Sequence, residues 1–265
     1  MKIFISSDIE GTAGITAWDE AKKGQPEYVE FREYMTNELV AACEGAQAAG
    51  ATEIVVKDAH SSARNLILSK LPPYVSVVRG WSGHPDEMMF GIDTSFSAAL
   101  YIGYHNKAGT DTNPLAHTLS GAVSRLLING EVASEFTLNA LCASRYGVPS
   151  AFLSGDAGMC AEAEVAVPGI ATLATSEGFG PATKSLVPAA AVIAIREGVE
   201  KALSGNYNNS LPNLAEEFEL VVEYTNPTDA YRNSWYPGME HIAPRTLRFN
   251  AQDYFEIQRA IRFVV

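Results

Sequence analysis

Three stretches of the chain run apolar and then end in side chains that commonly bind metal ions. The first leads into Asp8 and Glu10, the second into Asp58 and His60, and the third into His105. Residues two apart on an extended strand point to the same side, so each pair can converge on one point. The sequence therefore predicts a metal site built from the ends of three strands.

The predicted ligands are oxygen and nitrogen donors. Asp8, Glu10, His60 and His105 form a mixed set without thiolates, which suits zinc and also manganese or cobalt. Glu135, near the start of a predicted helix, is a candidate fifth ligand. Crowded carboxylates repel one another and raise their own pKa values unless a cation is present. Two divalent ions relieve this repulsion better than one, and a shared carboxylate such as Asp8 could bridge them.

A single histidine or aspartate at a strand end is usually only a cap or a hydrogen-bonding group of a loop. The metal hypothesis therefore depends on the joint pattern at three strand ends. His117 lies in a long predicted loop, and the near-neutral pKa of an ordinary histidine suits a general acid or base beside the metal. The alternative for His117 is a solvent-exposed loop histidine without a role in chemistry.

Residues 178–185 resemble a phosphate-binding P-loop, with an opening glycine, a lysine and a serine. Thr183 stands where a glycine belongs, and Pro181 removes a backbone donor that would contact phosphate. A structural or substrate-side loop is therefore favoured over phosphate binding. The chain contains neither a Gly-x-Ser-x-Gly nor a His-Glu-x-x-His motif, so a serine hydrolase or a zincin-type protease is not supported.

The elements that must position these residues alternate between strand and helix. Apolar residues recur at helical spacing over Tyr28–Ala49, a strand is predicted at Glu53–Lys57, and a long helix is predicted at Pro188–Leu203. This alternation predicts an α/β fold with a mostly parallel central sheet flanked by helices. Ligands of such sheets bind at the carboxyl ends of the strands. Residues 106–121 are expected to form a long loop over that edge.

The best candidate for a linker is the segment 205–212, which is rich in glycine, asparagine and serine. It divides the chain into an α/β core at 1–204, which carries the metal site, and a smaller C-terminal α+β portion at 213–265. The second portion has a predicted strand at 218–223 and a final helix at 251–263. Both portions can also belong to one single domain.

The composition excludes several classes of partner. The net charge of −12 over 265 residues argues against nucleic acid and anionic membranes, which attract basic surfaces. The longest apolar run, Val187–Ile195, is far shorter than the roughly 20 residues that span a bilayer.

The cysteines Cys43, Cys142 and Cys160 are scattered and form no disulfide or zinc-finger pattern. The N-terminus is predicted to be a strand and not a signal peptide, so we expect a cytoplasmic protein.

Taken in order, the motifs resemble the zinc-dependent D-aminopeptidase family, whose founding member was first named a dipeptide transport protein. Their order and spacing hold over nearly the whole chain. The motifs that carry the resemblance are Ser7-Asp8-Ile9-Glu10-Gly11, Asp58-Ala59-His60-Ser61, Gly103-Tyr104-His105, Ala116-His117-Thr118, Gly130-Glu131-Val132-Ala133-Ser134-Glu135, Leu138-Asn139 and Trp235-Tyr236-Pro237-Gly238.

The resemblance implies an aminopeptidase with two zinc ions per chain that hydrolyses short peptides and releases N-terminal D-amino acids. By resemblance, Asp8 bridges the ions and His117 is the catalytic histidine. The remaining ligands are divided between the two ions, Glu10 with His60 and His105 with Glu135. The resemblance also implies a homo-oligomer, a ring-shaped decamer of two stacked pentamers whose active sites face an internal chamber.

Two other function classes remain open from the sequence. One is a different metal-dependent hydrolase, such as a phosphatase or an amidase that acts on cell-wall or γ-glutamyl peptides. The other is a non-enzymatic peptide-binding component of an uptake system. A nucleotide-dependent enzyme ranks last, because the segment 178–185 departs from the P-loop pattern.

Overall fold

The computed structural model describes residues 1–265. The chain alternates between strands and helices, as the hydrophobic pattern predicts. In chain order the elements are β1 (Lys2–Ser7), α1 (Trp18–Ala21), α2 (Tyr28–Ala48), β2 (Glu53–Asp58), β3 (Val75–Val78), β4 (Ala98–Tyr104), β5 (Val123–Ile128), β6 (Glu131–Val132), α3 (Glu135–Arg145), β7 (Ser150–Asp156), α4 (Ala157–Ala166), β8 (Ala171–Phe179), β9 (Ala182–Ser185), α5 (Pro188–Ser204), β10 (Phe218–Tyr224), α6 (Pro227–Asn233), β11 (Glu240–Ala243), β12 (Thr246–Ala251) and α7 (Tyr254–Val264).

The larger sheet has seven strands in the order β3-β2-β1-β4-β7-β8-β9. All neighbouring pairs are parallel except β8 and β9, which form an antiparallel hairpin. The predicted α/β fold with a mostly parallel central sheet is therefore confirmed. The P-loop-like segment 178–185 lies in the β8–β9 hairpin and does not have the strand-to-helix context that a P-loop needs.

A second, antiparallel sheet has five strands in the order β11-β12-β10-β5-β6. Its strands β5 and β6 come from the middle of the chain, and Leu220 of β10 lies opposite Ile128 of β5. Residues 213–265 are thus joined by main-chain hydrogen bonds to residues that precede position 204. The division into 1–204 and 213–265 stays a prediction, and the shared sheet ties the two ranges closely together.

Side chains that alternate along the central strands bury both faces of the larger sheet. Ile3 and Ile5 of β1 pack in one cluster with residues of α2 and α5, such as Leu39 and Val199. Phe4 points to the opposite face, into a cluster that includes α3, α4, α7 and the second sheet. The parallel strands are therefore covered on both sides, which leaves their carboxyl ends as the natural place for a site.

No helix of the structure has the length and apolar character that crossing a membrane requires. The three cysteines are free and buried. Burial raises the pKa of both the Cys43 and the Cys160 thiol to about 12, so these thiols stay protonated near neutral pH. They behave as small buried side chains and do not take part in the predicted metal site.

Candidate metal centre

Two glycines allow the ends of β1 and β4 to approach each other. The Gly11 amide donates a hydrogen bond to the Gly103 carbonyl at 2.9 Å. A Cβ atom at Gly11 would lie 1.9 Å from the Tyr104 carbonyl oxygen, and one at Gly103 would lie 2.4 Å from the Asp8 carbonyl oxygen. Gly103 also has a φ of +72°, which favours glycine. The two glycines therefore bring the Asp8 loop beside His105.

All five predicted metal ligands meet at this edge of the sheet. His60 Nδ1 lies 3.2 Å from Asp8 Oδ1 and 3.1 Å from Glu10 Oε2. His105 Nε2 lies 3.5 Å from Asp8 Oδ2 and 3.5 Å from Glu135 Oε2. Each of the five residues is 7% exposed or less. Three carboxylates and two imidazoles are thus buried together, which is costly for the carboxylates unless cations compensate their charge.

Two buried atoms at the centre have no hydrogen-bond partner, namely Glu10 Oε2 and His105 Nε2. The contact between Glu10 Oε2 and His60 Nδ1 is within ion-pair distance but forms no hydrogen bond. Buried polar atoms without partners are rare in native proteins, because each loses its hydration. A divalent cation would satisfy both atoms, so the residues present fit a metal centre.

Two groups of three side chains each bring one ligand atom per residue within 4.8 Å of one another. These groups are Asp8 with Glu10 and His105, and His105 with His117 and Glu135. They share His105, so they are neighbouring parts of one centre. All donors are oxygen or nitrogen, which suits zinc, manganese or cobalt.

His60 is held in one orientation by a backbone carbonyl. Its Nε2 lies 2.9 Å from the carbonyl oxygen of Ala21, the last residue of α1. A carbonyl accepts, so this contact assigns the proton to Nε2 and leaves the Nδ1 lone pair facing Asp8 and Glu10. Helix α1 therefore supports a candidate ligand as well as the wall of the site.

Asp58 does not join His60 at the metal centre. Its carboxylate accepts hydrogen bonds from the backbone amide of Asn65 at 2.6 Å and from the Asn65 side chain at 2.8 Å. The Leu66 amide donates to the same carboxylate at 2.9 Å. The turn after β2 has backbone donors that need acceptors, and Asp58 supplies them. Asp58 thereby holds the loop that carries His60.

Glu135 enters the site from the first turn of α3. The Ser134 hydroxyl caps this helix by accepting from the Thr137 amide at 3.1 Å, and a negative charge in the first turn is favourable. Glu135 Oε1 also accepts a hydrogen bond from the Leu119 amide at 2.7 Å. The predicted long loop at 106–121 contains no helix or strand, and this bond holds it over the sheet edge.

His117 lies inside the site, so the alternative of a solvent-exposed loop histidine is wrong. Its ring stacks on His105 at a centroid distance of 4.4 Å, and it makes an edge contact with the Trp18 ring at a centroid distance of 5.2 Å. Nδ1 lies 3.0 Å from the Leu115 carbonyl oxygen, which assigns the proton to Nδ1. Nε2 faces Glu135 Oε1 at 3.7 Å and stays available to exchange a proton.

The pKa values at the centre reflect its excess of negative charge. Burial by itself raises the pKa of Glu135, but His105 and His117 beside it bring that pKa down to about 2. Burial by itself lowers the pKa of His105, yet the carboxylates of Glu135, Glu10 and Asp8 raise it well above the usual value. The centre thus favours bound positive charge.

Four of the five candidate ligands, Asp8, Glu10, His60 and Glu135, line a cleft of about 440 Å³, a size typical of small-molecule sites. Three residues with positive φ line this cleft, although none is glycine: Ser61 (45°), Glu87 (47°) and Leu119 (61°). Such strained conformations cluster at functional sites. The cleft walls also include Trp18 of α1 and Arg262 of α7, which the sequence patterns did not single out as site residues.

A buried carboxylate at the end of β7 supports the site without entering it. Asp156 accepts from the Asn106 amide at 2.8 Å and from the Asn113 side chain at 3.2 Å. Asn113 also donates to the Glu10 carbonyl oxygen at 3.0 Å. Asp156 therefore connects the loop over the site to the segment that carries Glu10.

Comparison with known proteins gives the same picture as the geometry. A profile described as D-aminopeptidase matches residues 1–263. A "D-aminopeptidase" of Bacillus subtilis (strain 168) is 31% identical over 263 residues, which cover 98% of this chain and 95% of the relative.

A solved structure has the same fold over the whole chain. It is the Zn-dependent D-aminopeptidase DppA from Bacillus subtilis, described as a self-compartmentalizing protease. The TM-score is 0.93 at 30% identity, with 100% of this chain and 96% of that chain covered. The profile match and the relative at 31% identity each extend over nearly all of the sequence. The chain therefore belongs to the D-aminopeptidase family.

Proposed function

We propose that this protein is a zinc-dependent aminopeptidase that hydrolyses short peptides and releases N-terminal D-amino acids. The observation that carries the proposal is the buried cluster of three carboxylates and two imidazoles, in which Glu10 Oε2 and His105 Nε2 have no hydrogen-bond partner. Membership of the D-aminopeptidase family supports the reaction class. The cleft volume of about 440 Å³ is consistent with a substrate of a few residues.

The proposed centre holds two zinc ions per chain. Asp8 would hold both ions, because its two carboxylate oxygens face different imidazoles, Oδ1 towards His60 and Oδ2 towards His105. Glu10 and His60 would hold one ion, and His105 and Glu135 would hold the other. When bound, zinc supplies Lewis-acid chemistry that polarises the scissile carbonyl and makes water a better nucleophile near neutral pH.

The proposed catalytic residue is His117. Its Nδ1 is held by the Leu115 carbonyl, its ring packs against those of His105 and Trp18, and its Nε2 faces Glu135 of the candidate metal centre. A histidine so oriented can take a proton at Nε2 during attack and give it to the departing amine. The neighbouring carboxylate of Glu135 stabilises the imidazolium that forms between these two steps.

We further propose that the chain assembles into a cytoplasmic homo-oligomer, a ring-shaped decamer with the active sites in an inner chamber. The description of the Bacillus subtilis relative as self-compartmentalizing supports this assembly. Large apolar side chains lie exposed on the single chain, among them Trp235 (74%) and Phe263 (68%). Such residues are suited to contacts between subunits.

The test combines metal analysis of the purified protein with hydrolysis of matched D-alanyl and L-alanyl dipeptides. We expect two zinc ions per chain, release of D-alanine, and loss of turnover on chelation that added zinc restores. Phosphate esters and γ-glutamyl peptides in the same panel serve as controls for other hydrolases. Protein that contains zinc and binds dipeptides without cleaving them would contradict the proposal.

A further inference from the structure

One wall of the cleft, formed by α1 and the residue after it, joins the candidate catalytic histidine to a lysine. The Trp18 ring contacts the His117 ring at a centroid distance of 5.2 Å. Lys22 Nζ lies 5.7 Å from the Trp18 ring centroid. Both Trp18 and Lys22 line the cleft. A continuous surface therefore leads from His117 over an aromatic ring to a positive charge.

Lys22 has no carboxylate within ion-pair distance, although the protein carries a net charge of −12. The cleft wall has only one other lysine or arginine, Arg262, and Arg262 Nε is paired with Glu87 Oε1 at 2.8 Å. Lys22 is thus the wall cation that remains free to take a negatively charged group of a substrate.

The backbone that presents Lys22 is held at both ends. The Glu20 carboxylate accepts from the Thr16 and Ala17 amides at 2.6 and 2.9 Å, which fixes the start of α1. At its end, the Ala21 carbonyl contacts His60 Nε2 at 2.9 Å. The backbone position of Lys22 is therefore set relative to a candidate zinc ligand.

We propose that Lys22 binds the C-terminal carboxylate of a dipeptide substrate, with Trp18 packed against the leaving residue. This inference rests on the proposed function, in which His117 protonates the departing amine, so the leaving residue lies on the His117 side of the cleft. The distances of 5.2 and 5.7 Å put Lys22 Nζ within about 11 Å of the His117 ring centre. One residue of about 3.5 Å with a hydrogen bond of about 3 Å at each end spans about 9.5 Å, which lies within this upper limit.

The assignment makes Lys22 a specificity-determining residue, because only a free carboxylate one residue beyond the cleaved bond would reach it. A dipeptide places its carboxylate there, whereas a dipeptide amide has no charge at that position. A tripeptide carries its carboxylate about one residue farther away. The enzyme should therefore favour dipeptides that end in a free acid.

The experiment compares alanyl-alanine with alanyl-alanine amide, in the configuration that the enzyme cleaves, for the zinc-loaded wild type and Lys22→Gln. We expect the wild type to favour the acid by about 10-fold in kcat/KM, since an exposed charged contact contributes only modestly. The substitution should bring the ratio of acid to amide close to one, mainly through a higher KM for the acid. Lys22→Arg should restore most of the preference.

Arg262→Gln is the matched control, because it removes the other wall cation, whose charge Glu87 already neutralises. This variant should keep the wild-type ratio of acid to amide. Two outcomes would overturn the assignment while leaving the proposed peptidase function intact. One is an equal kcat/KM for acid and amide in the wild type. The other is a Lys22→Gln variant in which kcat/KM falls by the same factor for both substrates. Absence of cleavage of any peptide would instead overturn the proposed function, and the assignment with it.

Discussion

Two buried glutamates, Glu38 and Glu135, show how differently the same side chain behaves in two regions of this molecule. Both lie on helices, and both are almost fully shielded from solvent at 1% and 4% exposure. Burial raises the pKa of Glu38 to about 8. The pKa of Glu135 is about 2, because His105 and His117 outweigh the same effect of burial.

The difference lies in the neighbours and not in the burial. Glu38 Oε1 accepts one hydrogen bond, from the Ala13 amide at 2.8 Å, and Oε2 has no partner. Near neutral pH Glu38 is therefore mostly protonated and acts as a structural group beneath the loop after β1. Glu135 is ionised and directed at imidazoles. A buried carboxylate is thus a candidate metal ligand only where other donors share its site.

The strongest test of this contrast is Glu135→Ala compared with Glu38→Gln. We expect Glu135→Ala to lose bound zinc and to reduce turnover on the order of 10,000-fold, because metal chemistry contributes several kcal/mol to the barrier. Glu38→Gln should keep its zinc and most of its turnover. Zinc content by elemental analysis, beside peptide hydrolysis, measures both. Full zinc occupancy in Glu135→Ala would contradict the assignment of Glu135 as a ligand.

The neighbour that lowers the pKa of Glu135 can be removed separately. His117→Ala should reduce turnover by roughly 100- to 10,000-fold, the range for loss of a general acid or base. Because His117 is assigned to proton transfer and not to metal binding, the zinc content should stay at two ions per chain. His117 also lies within ligand distance of His105 and Glu135. Loss of one zinc ion from this variant would make His117 a ligand instead.

The raised pKa of Glu38 predicts a pH-dependent stability. Folding raises this pKa from 4.5 to about 8, so the folded protein binds a proton that the unfolded chain releases. The stabilisation is complete below pH 4.5 and is lost as the pH rises towards 8. Between pH 5 and 8 the titration of Glu38 should lower the free energy of unfolding of the wild type by on the order of 3 to 5 kcal/mol. Glu38→Gln should not show this decrease.

Urea unfolding of both proteins at pH 5 and pH 8 measures this effect. The comparison cancels the titration of the histidines at the metal centre, because those are the same in the two proteins. Parallel stability curves for the wild type and Glu38→Gln would contradict the raised pKa.

The smallest expected effect is the stabilisation by zinc itself. An ion that binds only the folded state raises the free energy of unfolding by about 2.7 kcal/mol when its free concentration is 100 times its dissociation constant. When zinc is added to the metal-free proteins, we expect the midpoint temperature of thermal unfolding to rise equally in the wild type and in Glu38→Gln. In Glu135→Ala it should rise much less. A similar shift in all three proteins would place the bound zinc elsewhere.

Much of this site could be predicted from local pattern. Asp8, Glu10, His60 and His105 follow apolar runs, and such runs are typical of parallel strands whose carboxyl ends meet. Glu135 and His117 depended more on the resemblance to the D-aminopeptidase family, since a helix start and a long loop carry weaker signals. The parallel sheet and the helices that cover it could likewise be predicted from the sequence, because the hydrophobic periodicities of helices and strands differ clearly.

Other features depend on contacts between distant segments and left no local signal. The pairing of β5 with β10 joins residues 92 to 101 positions apart, and the sequence of a strand does not show which other strand it pairs with. The spacing of Asp58 and His60 allowed their side chains to converge, but hydrogen bonds from Asn65 hold the Asp58 carboxylate against a loop. The opposite pKa values of Glu38 and Glu135 have the same origin in neighbours from other elements.

The sequence alone determined the fold class, the family and the identity of the side chains that can bind a metal, because these follow from periodicity and from residue chemistry. The tertiary structure alone decided which of those side chains meet. It also decided that α1 forms a wall of the cleft, with Trp18 against His117 and Lys22 beyond it. Charges and hydrogen bonds act over a few ångströms of space, and the chain order does not reveal which groups come that close.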